Sequence, residues 1–374
     1  MSGGVDSSTV AGLMVEAGHD VIGVMMKLYD RSEAAPGDGG VSGDPGAGRE
    51  CCGLDDAADA RRVADTLGIP FYVSDYQEVF RRAVIDEFVD AYVGGRTPNP
   101  CVRCNDAVKF KPLLARARKL GAEFLATGHY VRADVDASGR VELRRAVDAG
   151  KDQSYFVAGI APEALARVVF PLGGMTKQEV RGHAERLGLP VAHKPDSQEI
   201  CFVPDGDHAG FVAREAAERV AGPGALVSLD GTRLGQHRGL HHYTVGQRRG
   251  LGIADAEPYY VVGLRPERNE VIVGRRRDVT ASGLVASRAR WLHGPPAAGA
   301  AVTARVRHRH AGAAATVLRA TDHEVEVAFS APVGAVAPGQ QLVLYDGDRV
   351  LGAATIDRGL SAGRTMAVEP LDAR

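Results

Sequence analysis

The residues best suited to chemistry stand at the start of the chain, in the run Ser2-Gly3-Gly4-Val5-Asp6-Ser7-Ser8. This run leads straight into the apolar, helix-compatible stretch 9–16, so backbone amides and serine hydroxyls converge where a helix begins. Glycine lets the main chain approach an anion closely, and a helix N-terminus adds partial positive charge. We therefore predict a phosphate-binding loop. A Ser/Gly-rich helix cap without a ligand is the alternative.

The loop contains no lysine, and G-x-x-x-x-G-K-S/T occurs nowhere in the chain, which excludes the γ-phosphate cradle of kinases and GTPases. The run instead resembles the PP-loop of the N-type ATP pyrophosphatases. That resemblance implies that ATP is cleaved between its α and β phosphates and that AMP is left on a substrate oxygen.

Cysteines form a second group of reactive side chains. Cys101 and Cys104 make a C-x-x-C in the Pro-containing segment 97–105, which we predict to be a loop that leads into a helix, and Cys201 stands alone in the segment 197–202. A thiol near a helix N-terminus is biased towards thiolate, the form that attacks and carries sulfur. A zinc pair, inert buried thiols and a thioredoxin-like redox site are the alternatives, and the lack of a second C-x-x-C weakens the zinc hypothesis.

Composition limits the class of protein. The chain has 374 residues, of which 45% are hydrophobic, enough for two or three ordinary globular domains. No apolar run approaches the ~20 residues that span a bilayer, and no leader precedes the loop, so we expect a cytoplasmic protein without a membrane partner. Five cysteines in such a chain favour reduced thiols over a disulfide scaffold. Cys51 and Cys52 are expected at surface or packing positions.

Charge is uneven along the chain. Residues 1–219 carry 26 Lys+Arg against 33 Asp+Glu, a net −7, whereas residues 220–374 carry 19 against 14, a net +5, and every basic residue there is Arg. Arginine suits bidentate phosphate contacts, so the C-terminal part is a candidate surface for a polyanion. A solvated Arg-rich face is the alternative.

The elements that must position these groups alternate between strands and helices. Strands are predicted at 21–27, 70–73 and 124–126, and helices at 55–67, 79–93 and 107–120. This order predicts an α/β fold with a doubly wound parallel sheet and ligands at the carboxyl ends of its strands. A phosphate loop of this type normally follows a central strand, so we expect the first strand to be missing before Ser2. Residues 34–48 are Gly/Pro-rich and are predicted to be a mobile loop.

Beyond residue 206 the pattern changes to one helix, predicted at 208–219, followed by short β-like runs. Strands predicted at 302–307, 315–318, 324–329, 342–345 and 350–356 favour a small closed β structure. We therefore expect three domains, at 1–205, 206–283 and 284–374.

A wider resemblance is carried by the loop and by four further motifs in order. These are Asn99-Pro100-Cys101-Val102-Arg103-Cys104-Asn105, Ala126-Thr127-Gly128-His129-Tyr130, Lys151-Asp152-Gln153-Ser154-Tyr155-Phe156 and Gly246-Gln247-Arg248-Arg249-Gly250-Leu251-Gly252. With them the chain resembles the bacterial tRNA-specific 2-thiouridylases, the MnmA/TrmU family, over essentially its whole length. The resemblance implies a PP-loop ATP pyrophosphatase domain of the adenine nucleotide alpha hydrolase type, a small central domain and a C-terminal β-barrel.

The family's reaction replaces the C2 oxygen of the wobble uridine of tRNA by sulfur, and the resemblance implies ATP and Mg²⁺. Adenylation makes the C2 oxygen a leaving group, and a sulfur nucleophile then displaces AMP. By resemblance, Cys201 would carry a persulfide, and Cys104 would attack or resolve it. The partner that supplies the sulfur would be a sulfur-donor protein or a sulfide source. Asp6 would assist Mg²⁺ or the pyrophosphate, and Met26 and Gly128 would line the adenosine pocket.

Cys101 departs from the commonest family pattern, in which an aspartate stands three residues before the loop cysteine. Either Cys101 acts as a local base or spare thiol, or Cys101, Cys104 and Cys201 ligate a [4Fe–4S] cluster whose fourth iron binds the transferred sulfide. Both hypotheses stay open on the sequence alone.

The resemblance also implies contacts with the anticodon stem-loop of tRNA. The matching positions are Asn99, Pro100, Cys101, His129, Lys151, Asp152, Gln153, His308, Arg309 and Gln340. A base must leave its stack to be adenylated, so a narrow pocket is expected at 99–104. A solvated loop charge is the alternative for Lys151, and a satisfied polar residue at a strand end is the alternative for His129.

Two rival functions remain. One is another PP-loop ATP-dependent ligase or tRNA-modifying enzyme, such as a lysidine-type enzyme, which needs no cysteine pair. The other is a catalytically idle tRNA-binding or iron–sulfur protein.

Overall fold

The computed structural model describes residues 1–29, 54–196 and 200–361. The predicted mobile loop, Cys51, Cys52 and the residues 197–199 before Cys201 lie outside the described residues. The described chain forms two compact units. One contains the described part of Met1–Glu87 with Pro100–Phe211 and Asp348–Val350, and the other contains Phe88–Asn99, Val212–Gly347 and the chain from Leu351 onward.

The structure has a helix in every segment where one was predicted, with some differences in extent. In chain order the described helices are α1 (Val5–Glu16), α2 (Leu54–Leu67), α3 (Gln77–Phe80), α4 (Asp86–Val93), α5 (Pro100–Cys104), α6 (Lys111–Lys119), α7 (Ser154–Val157), α8 (Pro162–Leu165), α9 (Lys177–Arg186) and α10 (His208–Glu215). π-helical turns at Arg81–Ile85 and Asn105–Phe110 join α3 to α4 and α5 to α6. Within the described ranges, no helix is both long and apolar enough to span a bilayer.

Two of these helices correct the predictions. The helix predicted at 208–219 ends at Glu215, and the segment that carries Cys101 and Cys104 is helical rather than a loop. The reason is local: Pro100 is the first residue of α5, and a proline at the first helical position is pre-organised for helix because its missing N–H is not needed there.

The strands of the described residues are more numerous than predicted. They are β1 (Gly23–Lys27), β2 (Phe71–Asp75), β3 (Leu125–Ala126), β4 (Val131–Val135), β5 (Val141–Arg145), β6 (Val168–Val169), β7 (Gly224–Ser228), β8 (Arg233–His237), β9 (Tyr260–Arg265), β10 (Glu270–Gly274), β11 (Thr280–Trp291), β12 (Ala301–Arg305), β13 (Ala313–Ala320), β14 (Glu324–Gly334), β15 (Gln341–Asp346) and β16 (Arg349–Leu360).

In the first unit, the parallel pairing that the sequence predicted is present. β1 pairs with β2 and β3 pairs with β6, both in parallel, as two separate two-stranded sheets within the described part of the chain. Helix α1 packs against α9 through buried Val5 and Val10, which join apolar clusters that also contain Ala184 and Val180. Val180 and Ala184 are four residues apart and so lie on one face of α9. The start of α1 is therefore held by a packed helix pair.

The second unit contains a four-stranded sheet and a closed barrel, each described by its pairing. The sheet has the order β8-β7-β10-β9, with only β7 and β10 parallel. The barrel has six strands in the order β11-β14-β13-β12-β15-β16, and pairing of β11 with β16 closes it. The predicted closed β structure is confirmed, with β11 as a strand that was not predicted.

Candidate active site

The glycine loop has the geometry of an anion site. Gly4 is the N-cap of α1, with extended backbone, and Gly3 has a φ of +74°. The Ser8 hydroxyl donates to the Gly4 carbonyl at 2.8 Å, and the Ser2 amide donates to Ser7 Oγ at 3.0 Å. The first amides of any α-helix have no intrahelical acceptor, so those that begin at Val5 are available to a bound anion.

At two positions of the site, a side chain larger than that of glycine would collide with the main chain of a neighbouring segment. A Cβ on Gly3 would lie 2.8 Å from Cα of Asp56 in α2, and closer still to the Asp56 carbonyl oxygen. A Cβ on Gly128, just after β3, would lie 2.9 Å from the amide nitrogen of Ser7. Gly128 therefore lies against the first turn of α1, at the carboxyl end of a parallel strand, where the fold type places its ligands.

A lysine supplies the positive charge that the loop sequence lacks. Lys177 Nζ lies 2.7 Å from Asp6 Oδ1 and 2.8 Å from Asp196 Oδ1. The Tyr130 hydroxyl donates to the same Asp6 oxygen at 2.8 Å, and Lys151 Nζ lies 2.7 Å from Asp196 Oδ2. Burial opposes ionisation of Asp196, yet the two lysines hold its pKa below the ordinary value. Lys151 is therefore part of an ion-paired cluster rather than a solvated loop charge.

A second lysine fastens the other side of the loop. Lys194 Nζ donates to the Gly3 carbonyl at 3.0 Å and to Asp59 Oδ2 at 2.5 Å, and it also pairs with Asp56. Burial alone would lower the pKa of Lys194, but hydrogen bonds to the two carboxylates raise it above its ordinary value. The ammonium therefore stays charged and holds the loop to α2.

The residues after β3 link the loop to the cysteine helix. Gln153 and Tyr130 exchange two hydrogen bonds, from Tyr130 N to Gln153 Oε1 and from Gln153 N to Tyr130 O, both 2.9 Å. Asp152 is buried and accepts from Ala146 N at 3.2 Å and from both Ser154 N and Ser154 Oγ at 3.1 Å. These side chains are engaged within the protein, and their roles as tRNA contacts stay predictions.

His129 is held in its neutral form. Its Nδ1 lies 3.0 Å from Thr127 Oγ1, and its ring packs against Phe110 and Phe170 with centroids 5.6 and 6.4 Å away. Burial, with a smaller contribution from Lys109, lowers the pKa of His129 to about 3. This is the arrangement expected of a satisfied polar residue at a strand end, and a tRNA contact remains a prediction.

The two cysteines of α5 differ in exposure. Cys101 is exposed, whereas Cys104 is only 6% exposed. Burial raises the pKa of Cys104, opposed by a weaker lowering from Lys109. The expectation that a position near a helix start would favour thiolate is therefore wrong for Cys104, because desolvation of the charged form outweighs the favourable charge.

The segments that carry Cys104 and Cys201 pack on the same helical run. Helix α5 packs against the turn Arg81–Ile85 and against α7, and Asn105 Nδ2 donates to the Phe156 carbonyl at 3.2 Å. Phe202, next to Cys201, contacts Phe80 with ring centroids 5.7 Å apart, immediately before that turn. Asn105 Oδ1 is buried and has no hydrogen-bond partner among the described residues.

The resemblance implies a metal ion and allows an iron–sulfur cluster, and the side chains present fit these two groups differently. Over residues 1–29, 54–196 and 200–361, no three Cys, His, Asp or Glu side chains converge as metal ligands. Cys101, Cys104 and Cys201 form no such group there, so as arranged they do not fit a [4Fe–4S] cluster. Asp6, partly exposed in the loop, fits Mg²⁺, which binds through one or two carboxylates together with substrate phosphates.

The remaining predicted site residues lie in varied settings. Met26 is partly exposed on β1, whereas Pro100 is buried and Asn99 partly exposed. His308 and Arg309 are exposed, and the His308 carbonyl accepts from Arg305 at 2.6 Å. Gln340 Nε2 donates to the carbonyls of Thr97 and Pro98 at 3.2 and 3.3 Å, so it fastens the chain just before α5.

Three residues of the site were not predicted, namely Lys177, Lys194 and Asp196, and Tyr130 was predicted without a role. One local signal was present: Thr176-Lys177-Gln178-Glu179 is a capping box, which the structure contains, and it marks Lys177 as the first residue of a helix. Nothing local indicated that this lysine would meet Asp6, 171 residues away in the chain.

Comparison with protein-family models gives three matches in order. They are a tRNA methyl transferase HUP domain at residues 1–205, a tRNA methyl transferase PRC-barrel domain at 209–275 and an aminomethyltransferase beta-barrel domain at 281–356. The predicted α/β class, followed by a central domain and a β-barrel, is confirmed. The boundaries 205/206 and 283/284 stay predictions.

Individual relatives match along nearly the whole chain. The tRNA-specific 2-thiouridylase MnmA of Geobacter metallireducens is 50% identical over 365 residues, which cover 97% of each chain. That of Geotalea uraniireducens is 47% identical and covers 96% of this chain and 94% of its own. A solved NMN synthetase from Francisella tularensis has a TM-score of 0.30 at 17% identity over 52% of this chain and 63% of that one, too weak to bear on the fold. The chain belongs to the tRNA-specific 2-thiouridylase MnmA family.

Proposed function

We propose that this protein is a tRNA-uridine 2-sulfurtransferase that converts the wobble uridine to 2-thiouridine and releases AMP and pyrophosphate. The observation that supports this most is the continuous set of contacts in one unit that links the phosphate loop to the cysteine helix. It runs from Asp6 through Tyr130 and Gln153 to α7 and α5. A simple nucleotide-binding domain has no need to place a buried thiol at the end of that path.

The first step makes the C2 oxygen expendable. This oxygen attacks the α-phosphorus of ATP, the bond to the β-phosphate breaks, and pyrophosphate leaves from the loop. Amides at the start of α1 and the serine hydroxyls stabilise the growing charge. Mg²⁺, when bound through Asp6, would neutralise part of the phosphate charge.

The second step replaces the adenylated oxygen by sulfur. The terminal sulfur of a Cys201 persulfide, loaded by a sulfane-sulfur donor, attacks C2, and AMP leaves with the electrons of the C2–O bond. The Cys104 thiolate then attacks Cys201 Sγ, which frees the thiocarbonyl and leaves a Cys104–Cys201 disulfide for an external thiol to reduce. Alternatively, Cys104 attacks the persulfide first and releases hydrosulfide, which attacks C2. Because burial raises the pKa of Cys104, its thiol must lose a proton before it attacks in either order.

Cys101 is proposed as a local base or spare thiol, since it is exposed and three residues before Cys104. For tRNA, the exposed pair His308 and Arg309 is proposed as a phosphate contact, and the region from Asn99 to Cys104 as the place of the flipped base.

The test separates the two steps. Purified protein is incubated with tRNA, ATP and a sulfane-sulfur donor, pyrophosphate is measured, and the wobble nucleoside is analysed by mass. Cys201→Ser should retain tRNA-dependent pyrophosphate release and lose thiolation. Cys101→Ala should still thiolate without bound iron, more slowly if Cys101 is the local base and at the wild-type rate if it is a spare thiol. Thiolation by Cys201→Ser at the wild-type rate would contradict the persulfide route. Pyrophosphate release without sulfur at C2 would favour another PP-loop ligase, and no release at all would favour an idle tRNA-binding protein.

A further inference from the structure

The phosphate loop meets a lysine that comes from elsewhere in the chain. No lysine occurs in residues 2–8, yet Lys177 Nζ lies 2.7 Å from Asp6 Oδ1, in the first turn of α1. The Lys177 side chain is 13% exposed, so it is partly desolvated without being sealed off. A triphosphate bound by backbone amides alone would keep most of its negative charge uncompensated. The Lys177 ammonium therefore lies beside the loop and is paired with the Asp6 carboxylate.

The main chain at Lys177 is fixed, so that only its side chain has freedom to move. The Thr176–Glu179 capping box fixes the start of α9, and the Lys177 amide donates to Asp148 Oδ2 at 3.0 Å. Helix α9 itself packs against α1. The flexible side chain of Lys177 therefore starts from a main-chain position that is held by hydrogen bonds close to the loop.

Both carboxylates that hold Lys177 have other partners. Asp6 Oδ1 also accepts from the Tyr130 hydroxyl at 2.8 Å, and Asp196 also pairs with Lys151 at 2.7 Å and with Arg181 at 3.6 Å. If Lys177 turned to another anion, neither carboxylate would be left without a hydrogen-bond donor. Exchange of Lys177 to a phosphate therefore leaves both carboxylates hydrogen-bonded, Asp196 by two cations and Asp6 by the neutral Tyr130 hydroxyl.

Lys194 is arranged differently, although it also reaches the loop. It donates to the Gly3 carbonyl and to carboxylates of α2, so it lies on the carbonyl side of the loop and is engaged by three oxygens. A phosphate must meet amide hydrogens rather than carbonyl oxygens. Lys194 therefore holds the loop in place, and Lys177 is the lysine suited to the ligand.

We propose that Lys177 binds the pyrophosphate half of ATP, exchanging Asp6 for phosphate oxygens when the nucleotide enters. This inference rests on the proposed function and adds to it the cation of the phosphate site. A lysine ammonium is a compact point charge and suits phosphate well. Asp6 then keeps the Tyr130 hydroxyl and is left available to the metal.

The test measures equilibrium binding of Mg·ATP, inorganic pyrophosphate and AMP to the full chain without tRNA. Loss of a charge-assisted hydrogen bond predicts that Lys177→Met binds ATP and pyrophosphate roughly 10- to 100-fold more weakly. AMP affinity should change by less than about threefold, because AMP lacks that half of the ligand. Lys177→Arg should restore part of the affinity. The control is Arg186→Met, which removes a positive charge from the last turn of the same helix. Arg186 pairs with Glu16 there, so this variant should bind ATP and pyrophosphate like wild type.

A second variant tests whether Lys177→Met weakens binding only because the loop has lost its structure. Asp196→Asn removes a carboxylate that competes for Lys177, so ATP affinity should be equal to wild type or tighter. A loss in Asp196→Asn as large as that in Lys177→Met would mean that the cluster only holds the fold, and would overturn the inference. So would unchanged ATP binding in Lys177→Met while wild type binds. Failure of wild type itself to bind Mg·ATP would instead overturn the proposed function, and the inference with it.

Discussion

Gly3→Ala is expected to disable the phosphate loop while leaving α1 folded. Gly3 has a φ of +74°, which costs an alanine about 1–2 kcal/mol. The added Cβ would also lie 2.8 Å from Cα of Asp56, where side-chain carbons essentially never come within 3.0 Å. That neighbour is backbone and cannot rotate away. The loop and the start of α2 must therefore separate, at a further cost of about 1–3 kcal/mol.

The matched control is Gly18→Ala at the other end of α1. Gly18 has a φ of +81°, but nothing lies within 4 Å of a Cβ built there. It therefore carries the cost of the dihedral angle without the clash. The difference between the two variants isolates the close approach of the loop to Asp56, which Lys194 reinforces by bonding both sides.

The assay is Mg·ATP affinity together with tRNA-dependent pyrophosphate release, because a chain of two compact units need not unfold in a single step. If about 2 kcal/mol of strain is relieved by distorting the loop, ATP binding weakens roughly 30-fold in Gly3→Ala. Gly18→Ala should bind within about twofold of wild type, since its strain lies away from the amides. Equal ATP affinity in the two variants would refute the reasoning.

Three other outcomes are expected. Because burial raises the pKa of Cys104, alkylation at neutral pH should modify exposed Cys101 first, with Cys104 reacting only as the pH rises further; simultaneous labelling would contradict this. Since burial lowers the pKa of His129 to about 3, its ring should show no NMR titration between about pH 5 and 8. The neutral ring favours the folded state most strongly above the unfolded-state pKa of about 6.5, and this contribution to stability should fall as the pH drops towards about 3. An NMR titration of His129 with a midpoint near pH 6.5 would disprove this. Arg309→Ala should weaken tRNA binding and reduce the slope of log affinity against log salt concentration by about 1. The control Arg82→Ala, which removes an exposed arginine paired with Glu78, should change neither. Unchanged tRNA affinity in Arg309→Ala would contradict the proposed phosphate contact.

The parts of the fold that were predictable are those with local signals. Apolar runs predicted β1 and β2, and the glycine-containing run 2–8 predicted the start of α1. Strand β11 was missed because Thr280–Trp291 is rich in Ala, Ser and Gly, which have little intrinsic strand preference. Its pairing with β14 on one side and β16 on the other, rather than its own composition, makes it a strand.

The same distinction holds within the site. The loop and the C-x-x-C were visible because their residues are adjacent in the chain. The burial that raises the pKa of Cys104, and the meeting of Lys177 with Asp6, both arise from packing between distant segments. No pattern in a single stretch of sequence encodes such contacts, so the charge balance around the loop could be found only in three dimensions.

The hydrogen bonds from Gln340 to Thr97 and Pro98 bear on how the protein can be dissected. A shortened gene ending at residue 283 would preserve the nucleotide loop yet delete the amide that secures the stretch entering α5. Inactivity of such a fragment would then reflect the lost hydrogen bonds to Thr97 and Pro98 as much as lost affinity for RNA. In the point variant Gln340→Ala, tRNA affinity and thiolation can be measured separately. Loss of thiolation with unchanged tRNA affinity would point to the lost hydrogen bonds to Thr97 and Pro98.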